Sequence, residues 1–224
     1  VDPFICSGIY FSCVSIVNSD CYKSDKVAVM VFSPDDCTDC DVFALNALEK
    51  GCSVYDQGDT ALQFYYVKEG LVGLYHILEN GKSSLVRLYK KGDFFGFRTF
   101  FGNKNYHCSA IVMVKAQIIC IRPHSIDSFF SKNIELVRFL VFQLAQELHD
   151  AETRLAKIAY NKTLDRVFNT TRFLAEHYPE YPWTYREIAE YSGCETETAI
   201  RITKELHKTG LLQSHKINKK TSDN

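Results

Sequence analysis

The chain has 224 residues, of which 46% are hydrophobic, and a formal net charge of −1. This composition allows one large domain or two compact ones, and it excludes a globally basic nucleic-acid binder. The sequence has no apolar run of the roughly 18 residues that a membrane-spanning helix needs, and its apolar stretch 4–17 has no basic leader, so we expect a cytoplasmic protein without a membrane partner.

The N-terminal part contains several of the nine cysteines but few structural signals. Residues 1–30 form an extension to which the pattern assigns no element. The length is ordinary and we find no export signal, so the cysteines indicate a reducing cytosol. Residues 33–36, with Pro34 in the first turn, predict a helix start that places Cys37 and Cys40 toward the core at i,i+3 as small hydrophobic residues.

Residues 31–132 predict a sensor barrel. Turn signals recur about every ten residues across 44–130, a spacing typical of an antiparallel barrel or jelly roll. Glu69-Gly70 is one predicted turn, and Asn80-Gly81 predicts a two-residue hairpin. The strands expected between the turns are 64–67, 71–75, 84–88, 110–114 and 117–121.

A long amphipathic helix is predicted over 133–160. Its apolar residues are spaced 3, 4, 4, 3, 4 and 3 apart, which is a heptad-like seam. The seam consists of Val137, Leu140, Leu144, Leu148, Ala151, Leu155 and Ile158. We expect Phe139 and Phe142 to pack on the barrel and the seam to pair with a second copy of the helix. Packing of the whole helix on its own barrel is the alternative.

The C-terminal region 161–224 predicts a helix over 164–177 and then a helix-turn-helix over 184–211. Thr184 and Glu187 have the spacing of a capping box, so a short helix should run over 185–191. Gly193 can adopt the left-handed conformation that the following sharp turn needs. A second helix is expected over 195–208, with Ala199, Ile202 and Leu206 on its inner face. In this motif the second helix enters the major groove of DNA.

The outer face of that second helix suits base reading. Arg201 can donate two hydrogen bonds to guanine, and Glu197 can accept one from cytosine. The two residues are four apart, so an ordinary ion pair on a solvated helix is the alternative. From 184 to 224 there are seven Lys and Arg and six Asp and Glu, a difference of +1, so affinity for DNA must come from a local face.

The order of barrel, long helix and helix-turn-helix resembles the Crp/Fnr superfamily of bacterial transcription regulators, over about residues 30–215. The specific motifs are Gly58-Asp59, Lys68-Glu69-Gly70, Asn80-Gly81-Lys82, the run Gly92-Asp93-Phe94-Phe95-Gly96, and residues 193–201. The resemblance implies an α+β fold: a cyclic-nucleotide-binding-like jelly roll, a dimerisation helix and a winged helix-turn-helix. It also implies a palindromic DNA operator, with RNA polymerase as a further candidate partner. The DNA contacts it implies are Thr196, Glu197, Thr198, Ile200, Arg201 and Lys204, with Ile200 reaching a thymine methyl.

The resemblance also predicts which effector the barrel does not take. Relatives that bind cyclic nucleotides use Gly-Glu for the ribose and Arg-Ser for the phosphate. This chain has Gly96-Phe97 and Cys108-Ser109 instead, and neither phenylalanine nor a thiol can replace those groups. Arg98 could restore the phosphate site only by a shift in register. We therefore expect no cyclic AMP in an effector pocket near Phe97, Arg98, Cys108 and Ser109.

The oxygen-sensing branch of the superfamily suggests an iron–sulfur cluster as an alternative cofactor. By resemblance its ligands would be Cys21, Cys37, Cys40 and Cys120, although the spacing does not match the three-cysteine run of that branch. Packing of Cys37 and Cys40 in the core is the competing interpretation.

The sequence as a whole favours a homodimeric, sequence-specific DNA-binding regulator whose barrel and N-terminal region sense a small molecule, a gas or a redox signal. The signal would rotate the two DNA-reading helices until their separation matches one helical turn, about 34 Å. A sensor or protein-interaction module without DNA binding is the alternative function. The sequence has no P-loop, no GxSxG motif and no HExxH motif, so we expect no enzyme.

Overall fold

The computed structural model describes residues 32–212. Its six strands are β1 (Cys40–Leu48), β2 (Ser53–Tyr55), β3 (Phe64–Ile77), β4 (Ser83–Lys90), β5 (Phe94–Phe95) and β6 (Ser109–Pro123). Its six α-helices are α1 (Phe97–Phe101), α2 (Ile126–Lys132), α3 (Ile134–Tyr160), α4 (Thr163–His177), α5 (Tyr185–Ser192) and α6 (Thr196–Lys208). The predicted α+β class, with an antiparallel barrel followed by helices, is confirmed. The predicted wing would fall largely beyond residue 212, outside the described residues.

The strands form one antiparallel sheet in the order β1-β6-β3-β4, with β2 on β6 and β5 on β3. Two predicted strand breaks are wrong, because 64–77 and 109–123 are each one strand. Gly70, at φ +99°, lies within β3 at a shift of register and not in a turn. A Cβ atom there would stand 2.6 Å from the Lys115 carbonyl oxygen, so the close approach of the two strands requires glycine.

The Asn80-Gly81 hairpin is confirmed between β3 and β4, although its loop is longer than predicted. The Leu78 amide donates to the Lys82 carbonyl at 2.8 Å, so the chain reverses over residues 79–81. Gly81, at φ +79°, supplies the left-handed residue of a three-residue loop.

The predicted helix start at residues 33–36 is only a 3-10 turn, Pro34–Asp36, capped reciprocally by Ser33 and Asp36. The chain is extended at Cys37, and Cys40 begins β1, so the predicted i,i+3 relation of the two cysteines on one helix is wrong. Both side chains nonetheless pack against the barrel core as partly buried groups. The proline and the capping residues stabilise a single turn only, because the chain that follows is extended and pairs as β1 with β6.

Two hydrophobic cores hold the molecule together. The first fills the barrel and includes the inner side chains of α3. The second lies between the outer surface of the barrel and the three-helix unit, by which we mean α4, α5 and α6. Barrel residues Leu71, Leu85 and Leu88 are buried there together with Trp183 and Ile188. Since each side buries apolar groups of the other, the three-helix unit is packed on the barrel and is not a tethered separate body. No helix within residues 32–212 is long and apolar enough to cross a membrane.

Candidate nucleic-acid interface and barrel interior

The helix-turn-helix begins at the capping box that the sequence predicts. The Thr184 hydroxyl accepts from the Glu187 amide at 3.2 Å, and the Glu187 carboxylate accepts from the Thr184 amide at 2.8 Å. These two bonds satisfy amides that would otherwise be unpaired at the start of α5. Gly193 ends α5 in the left-handed conformation, at φ 69° and ψ 50°. The local sequence thus fixes both the start of the first helix and the sharp turn that aims the second.

The inner face of α6 anchors it to the rest of the unit. Ala199, Ile202 and Leu206 are buried, as predicted. The helix itself starts at Thr196, with Glu195 as its N-cap residue. Thr203 is also fully buried, and its hydroxyl has no hydrogen-bond partner within the part of the chain that the structure describes. Three apolar anchors along one stripe fix the rotation of α6 about its axis, and therefore which side chains point outward.

The outer face of α6 presents the predicted DNA contacts to solvent. Glu197, Arg201 and Lys204 are exposed, and the other three predicted contacts are partly exposed: Thr196, Thr198 and Ile200. Over residues 32–212 the structure forms no ion pair between Glu197 and Arg201, although the two are one turn apart. Their hydrogen-bonding groups are therefore available to a partner.

The four predicted effector-pocket residues lie at the junction of α1 and β6. Phe97 and Cys108 are each 2% exposed, and burial raises the pKa of the Cys108 thiol to about 11. The Ser109 hydroxyl accepts a hydrogen bond from the backbone amide of Gln57 at 2.9 Å. Arg98 lies on the exposed side of α1 and donates to the ring of His107. The contact between Arg98 and His107 thus joins α1 to the residues just before β6. Among the described residues, no buried guanidinium occupies the position where the Cys108 thiol lies.

Side chains of the chain itself occupy the interior of the barrel. Tyr55 stacks on Tyr106 with ring centroids 3.7 Å apart, and Phe95 stacks on Tyr65 and Tyr89 at 5.1 and 5.3 Å. All five rings are buried. Aromatic side chains therefore fill this part of the barrel interior.

A buried ion pair that the sequence did not predict connects the barrel to α3. Arg87 of β4 pairs with Glu147 of α3, and their side chains are 18% and 8% exposed. The Arg87 guanidinium also donates to the Glu147 carbonyl at 2.9 Å, and Gln143 donates to the Glu147 carboxylate at 2.9 Å. Burial raises the pKa of Glu147, and the positive charge of Arg87 opposes that rise. Residues 60 apart in sequence give no local signal of such a contact.

The structure corrects the N-terminal part of the apolar seam that the sequence predicted on α3. Leu140 is 3% exposed because it faces the barrel, and Val137 is half-buried there. Phe142 was expected to pack on the barrel, but it is 62% exposed, whereas Phe139 does pack there. Val141, which is 60% exposed, occupies the position in the outward apolar stripe that the sequence predicted for Leu140. The outward apolar stripe is Val141, Leu144, Leu148, Ala151, Leu155 and Ile158.

The described cysteine candidates do not fit a shared iron–sulfur cluster. Cys40 lies opposite Pro123, and Cys120 lies opposite Phe43, in the pairing of β1 with β6. The position on β6 opposite Cys40 is three residues from Cys120, so the two cysteines are not cross-strand neighbours. Burial raises the pKa of the thiols, to about 12 for Cys37 and about 11 for Cys40 and Cys120, which disfavours the thiolates that metals bind. Cys21 lies outside the described residues, and within 32–212 no three His, Cys, Asp or Glu side chains are placed to hold a metal ion.

Comparison with known proteins places this arrangement in a family. Residues 45–133 match the family model of the cyclic nucleotide-binding domain. The cAMP-activated global transcriptional regulator CRP of Haemophilus influenzae is 30% identical over 171 residues, which are 70% of this chain and 75% of that protein. An uncharacterised protein of the same organism is 43% identical over 117 residues, 52% of this chain and 91% of its own.

A solved structure carries the same likeness into three dimensions. A transcriptional regulator of the CRP/FNR family from Thermus thermophilus superposes with a TM-score of 0.63 at 26% identity, over 78% of this chain and 89% of its own. The likeness therefore extends over the barrel, the long helix and helices beyond it. The chain belongs to the Crp/Fnr superfamily of transcription regulators.

Proposed function

We propose that the chain is a homodimeric regulator that reads a palindromic DNA operator through α6 and is not gated by cyclic AMP. The observation that carries the proposal is the outer face of α6, where Glu197, Arg201 and Lys204 are exposed on a helix fixed by its inner face and a capped turn. Arginine and glutamate are the side chains that read guanine and cytosine in the major groove. The proposed domains are the barrel over 31–132, the dimerisation helix over 133–160 and the DNA-binding region over 161–224.

The outward stripe of α3 supports the homodimer. Leu144, Leu148 and Leu155 are 37, 58 and 68% exposed in the single chain, although all are apolar. With Val141 they recur at intervals of three, four and seven residues, as core positions of a two-stranded coiled coil do. A second copy of α3 would bury the stripe, and a two-fold axis along this helix would present two copies of α6 to the two halves of an operator.

The interior of the barrel supports gating by something other than cyclic AMP. A cyclic nucleotide is an anion and needs a charge partner where it is desolvated. Phe97 and Cys108 offer none, the exposed Arg98 donates to His107, and the partly buried Arg87 is already paired with Glu147. Of the signals expected from the sequence, a redox signal through Cys37, Cys40 or Cys120 is disfavoured, because burial raises the pKa of all three thiols. A small molecule or a gas is therefore the class of signal that we propose.

The test of DNA reading is selection of bound duplexes from a random pool, followed by fluorescence polarisation with variants. We expect a two-fold symmetric site, and we expect Arg201→Ala to weaken binding to it by about 1–3 kcal/mol and to relax base preference at one position of each half-site. Arg186→Ala is the matched control, because Arg186 is an exposed arginine of α5 that pairs with Glu190 at 3.0 Å. Equal losses in the two variants would contradict base reading by Arg201.

The same experiment separates the alternative function. A sensor or protein-interaction module without DNA binding would enrich no sequence, and any residual binding would be blind to sequence. Residues 184–224 are nearly neutral, so their non-specific attraction to DNA phosphates is weak. This weak attraction is the observation that favours the alternative.

A further inference from the structure

One arginine contacts all three parts of the fold. Arg154 lies in the C-terminal half of α3, and its guanidinium donates to the carbonyl oxygens of Leu85 and Val86 on β4 at 3.0 and 2.8 Å. It also donates to the carbonyl oxygen of Tyr191 on α5 at 2.7 Å, and it lies over the Tyr191 ring, 4.6 Å from the centroid. A single side chain therefore binds the long helix to the barrel and to the first helix of the helix-turn-helix.

An irregularity in β4 explains why its carbonyl groups need this partner. In the described sheet β4 is an edge strand that pairs with β3. The pairing moves from Leu74 opposite Arg87 to Tyr75 opposite Leu85, which leaves Val86 without an opposite residue. Such a bulge turns carbonyl groups away from the ladder. Arg154 satisfies two of them, and a guanidinium suits the task because it is always charged and holds several donors in one plane.

Further contacts around Arg154 join the barrel to the three-helix unit. The Ser83 hydroxyl donates to Glu190 at 2.6 Å, beside the apolar cluster shared by the two parts. Tyr191 in turn stacks on Phe173 of α4, with centroids 5.8 Å apart and an angle of 17°. Through Tyr191, Arg154 is thus linked by contacts to both α4 and α5. None of these contacts covers the outer face of α6, so the joint orients that face without blocking it.

We propose that Arg154 is a positioning residue for operator recognition. By fixing the three-helix unit to the barrel and α3, it sets the distance between the two α6 helices of the dimer, and therefore the half-site spacing that the protein accepts. The proposal rests on the proposed DNA-binding function. Because the described contacts of Arg154 include no residue of the outer face of α6, its loss should change spacing preference and leave the base preference of each half-site intact.

The test compares wild type, Arg154→Met and a control on duplexes that carry the selected half-sites at the selected spacing and at one, two and three base pairs more or fewer. Wild type should prefer one spacing by at least about tenfold, and Arg154→Met should bind several spacings within about threefold of one another. The control is Arg138→Met on the same helix, since Arg138 is 74% exposed and pairs with Glu135 within one turn. Arg138→Met should keep the wild-type preference.

Hydrogen exchange without DNA provides a second readout. Amides of β4 and α5 should exchange faster in Arg154→Met than in wild type or Arg138→Met, because the joint opens more often. If Arg154→Met does not stay folded, Arg154→Lys replaces it. Lysine keeps the charge but presents a single ammonium, so a partial loss of spacing preference is expected.

The outcomes separate the two proposals. A wild type that selects no DNA sequence overturns the proposed function itself. A wild type that selects a spaced operator, together with a folded Arg154 variant that keeps the same spacing preference and the same exchange rates, overturns the role of Arg154 alone.

Discussion

Replacing Arg87 with methionine tests whether the ion pair between the barrel and α3 is as buried as the structure shows. The Glu147 side chain is 8% exposed, and without Arg87 its carboxylate keeps Gln143 and Tyr89 as hydrogen-bond partners but loses its paired counter-charge, so that Arg98 supplies the remaining positive charge. Breaking a buried pair from one side costs about 3–5 kcal/mol. Since whole domains are stable by only about 5–15 kcal/mol, the loss should be evident in any unfolding experiment.

The pH dependence of the loss identifies its cause. Burial already raises the pKa of Glu147 above its ordinary value of 4.5, and removal of Arg87 should raise it further. A carboxyl group whose pKa is raised in the folded state adds stability that is full below its unfolded-state pKa and is lost as the pH rises through the folded-state pKa. The deficit of Arg87→Met relative to wild type should therefore be small near pH 4.5 and grow toward pH 8.

The assay is urea unfolding followed by circular dichroism at several pH values, with two further variants. The double variant Arg87→Met, Glu147→Leu removes both charges and should recover most of the loss. Arg138→Met removes an exposed arginine of α3, paired within one turn, and should cost less than about 1 kcal/mol. A single Arg87→Met variant that loses less than about 1 kcal/mol, or whose loss does not depend on pH, would refute the reasoning.

Three further predictions concern other single positions. Burial raises the pKa of Asp93 from 3.8 to about 6, so the stability that its protonation contributes is lost as the pH rises through that value. Asp93→Asn should flatten the pH dependence of thermal unfolding between about pH 4 and 7 and stabilise the protein at about pH 7.5 by roughly 3 kcal/mol. Thr203→Val removes a buried hydroxyl that has no described partner and should raise the free energy of unfolding by about 1 kcal/mol, whereas the partly exposed Thr198→Val should not. Leu148→Lys should convert the proposed dimer to monomer in sedimentation analysis, and His149→Lys, one residue outside the outward stripe, should leave it dimeric. An unchanged pH profile, an unchanged or lower stability, or an intact Leu148→Lys dimer would contradict the respective prediction.

Local signals predicted the helix-turn-helix well because its geometry is encoded within a few residues. The Thr184 and Glu187 cap, the left-handed Gly193 and the inner face of α6 are where the sequence placed them. Each depends on contacts between near neighbours, which periodicity and capping rules describe directly.

The errors occurred where distant parts of the chain decide between local alternatives. A glycine at position 70 suits either a turn or a bulge, and only the approach of Lys115 makes it a bulge. Leu140 and Val141 both fit a heptad pattern on α3, and packing on the barrel selects Leu140 for burial. The contacts of Arg154 with β4 span 68 and 69 positions and leave no pattern in the sequence.

The most direct test of the central claim is titration of the selected duplex with wild-type protein at several salt concentrations, with and without cyclic AMP. We predict tight, sequence-specific binding by a dimer, a linear fall of log affinity with log salt concentration, and no change when cyclic AMP is added. Binding that is absent, that ignores sequence, or that appears only with cyclic AMP would contradict the account.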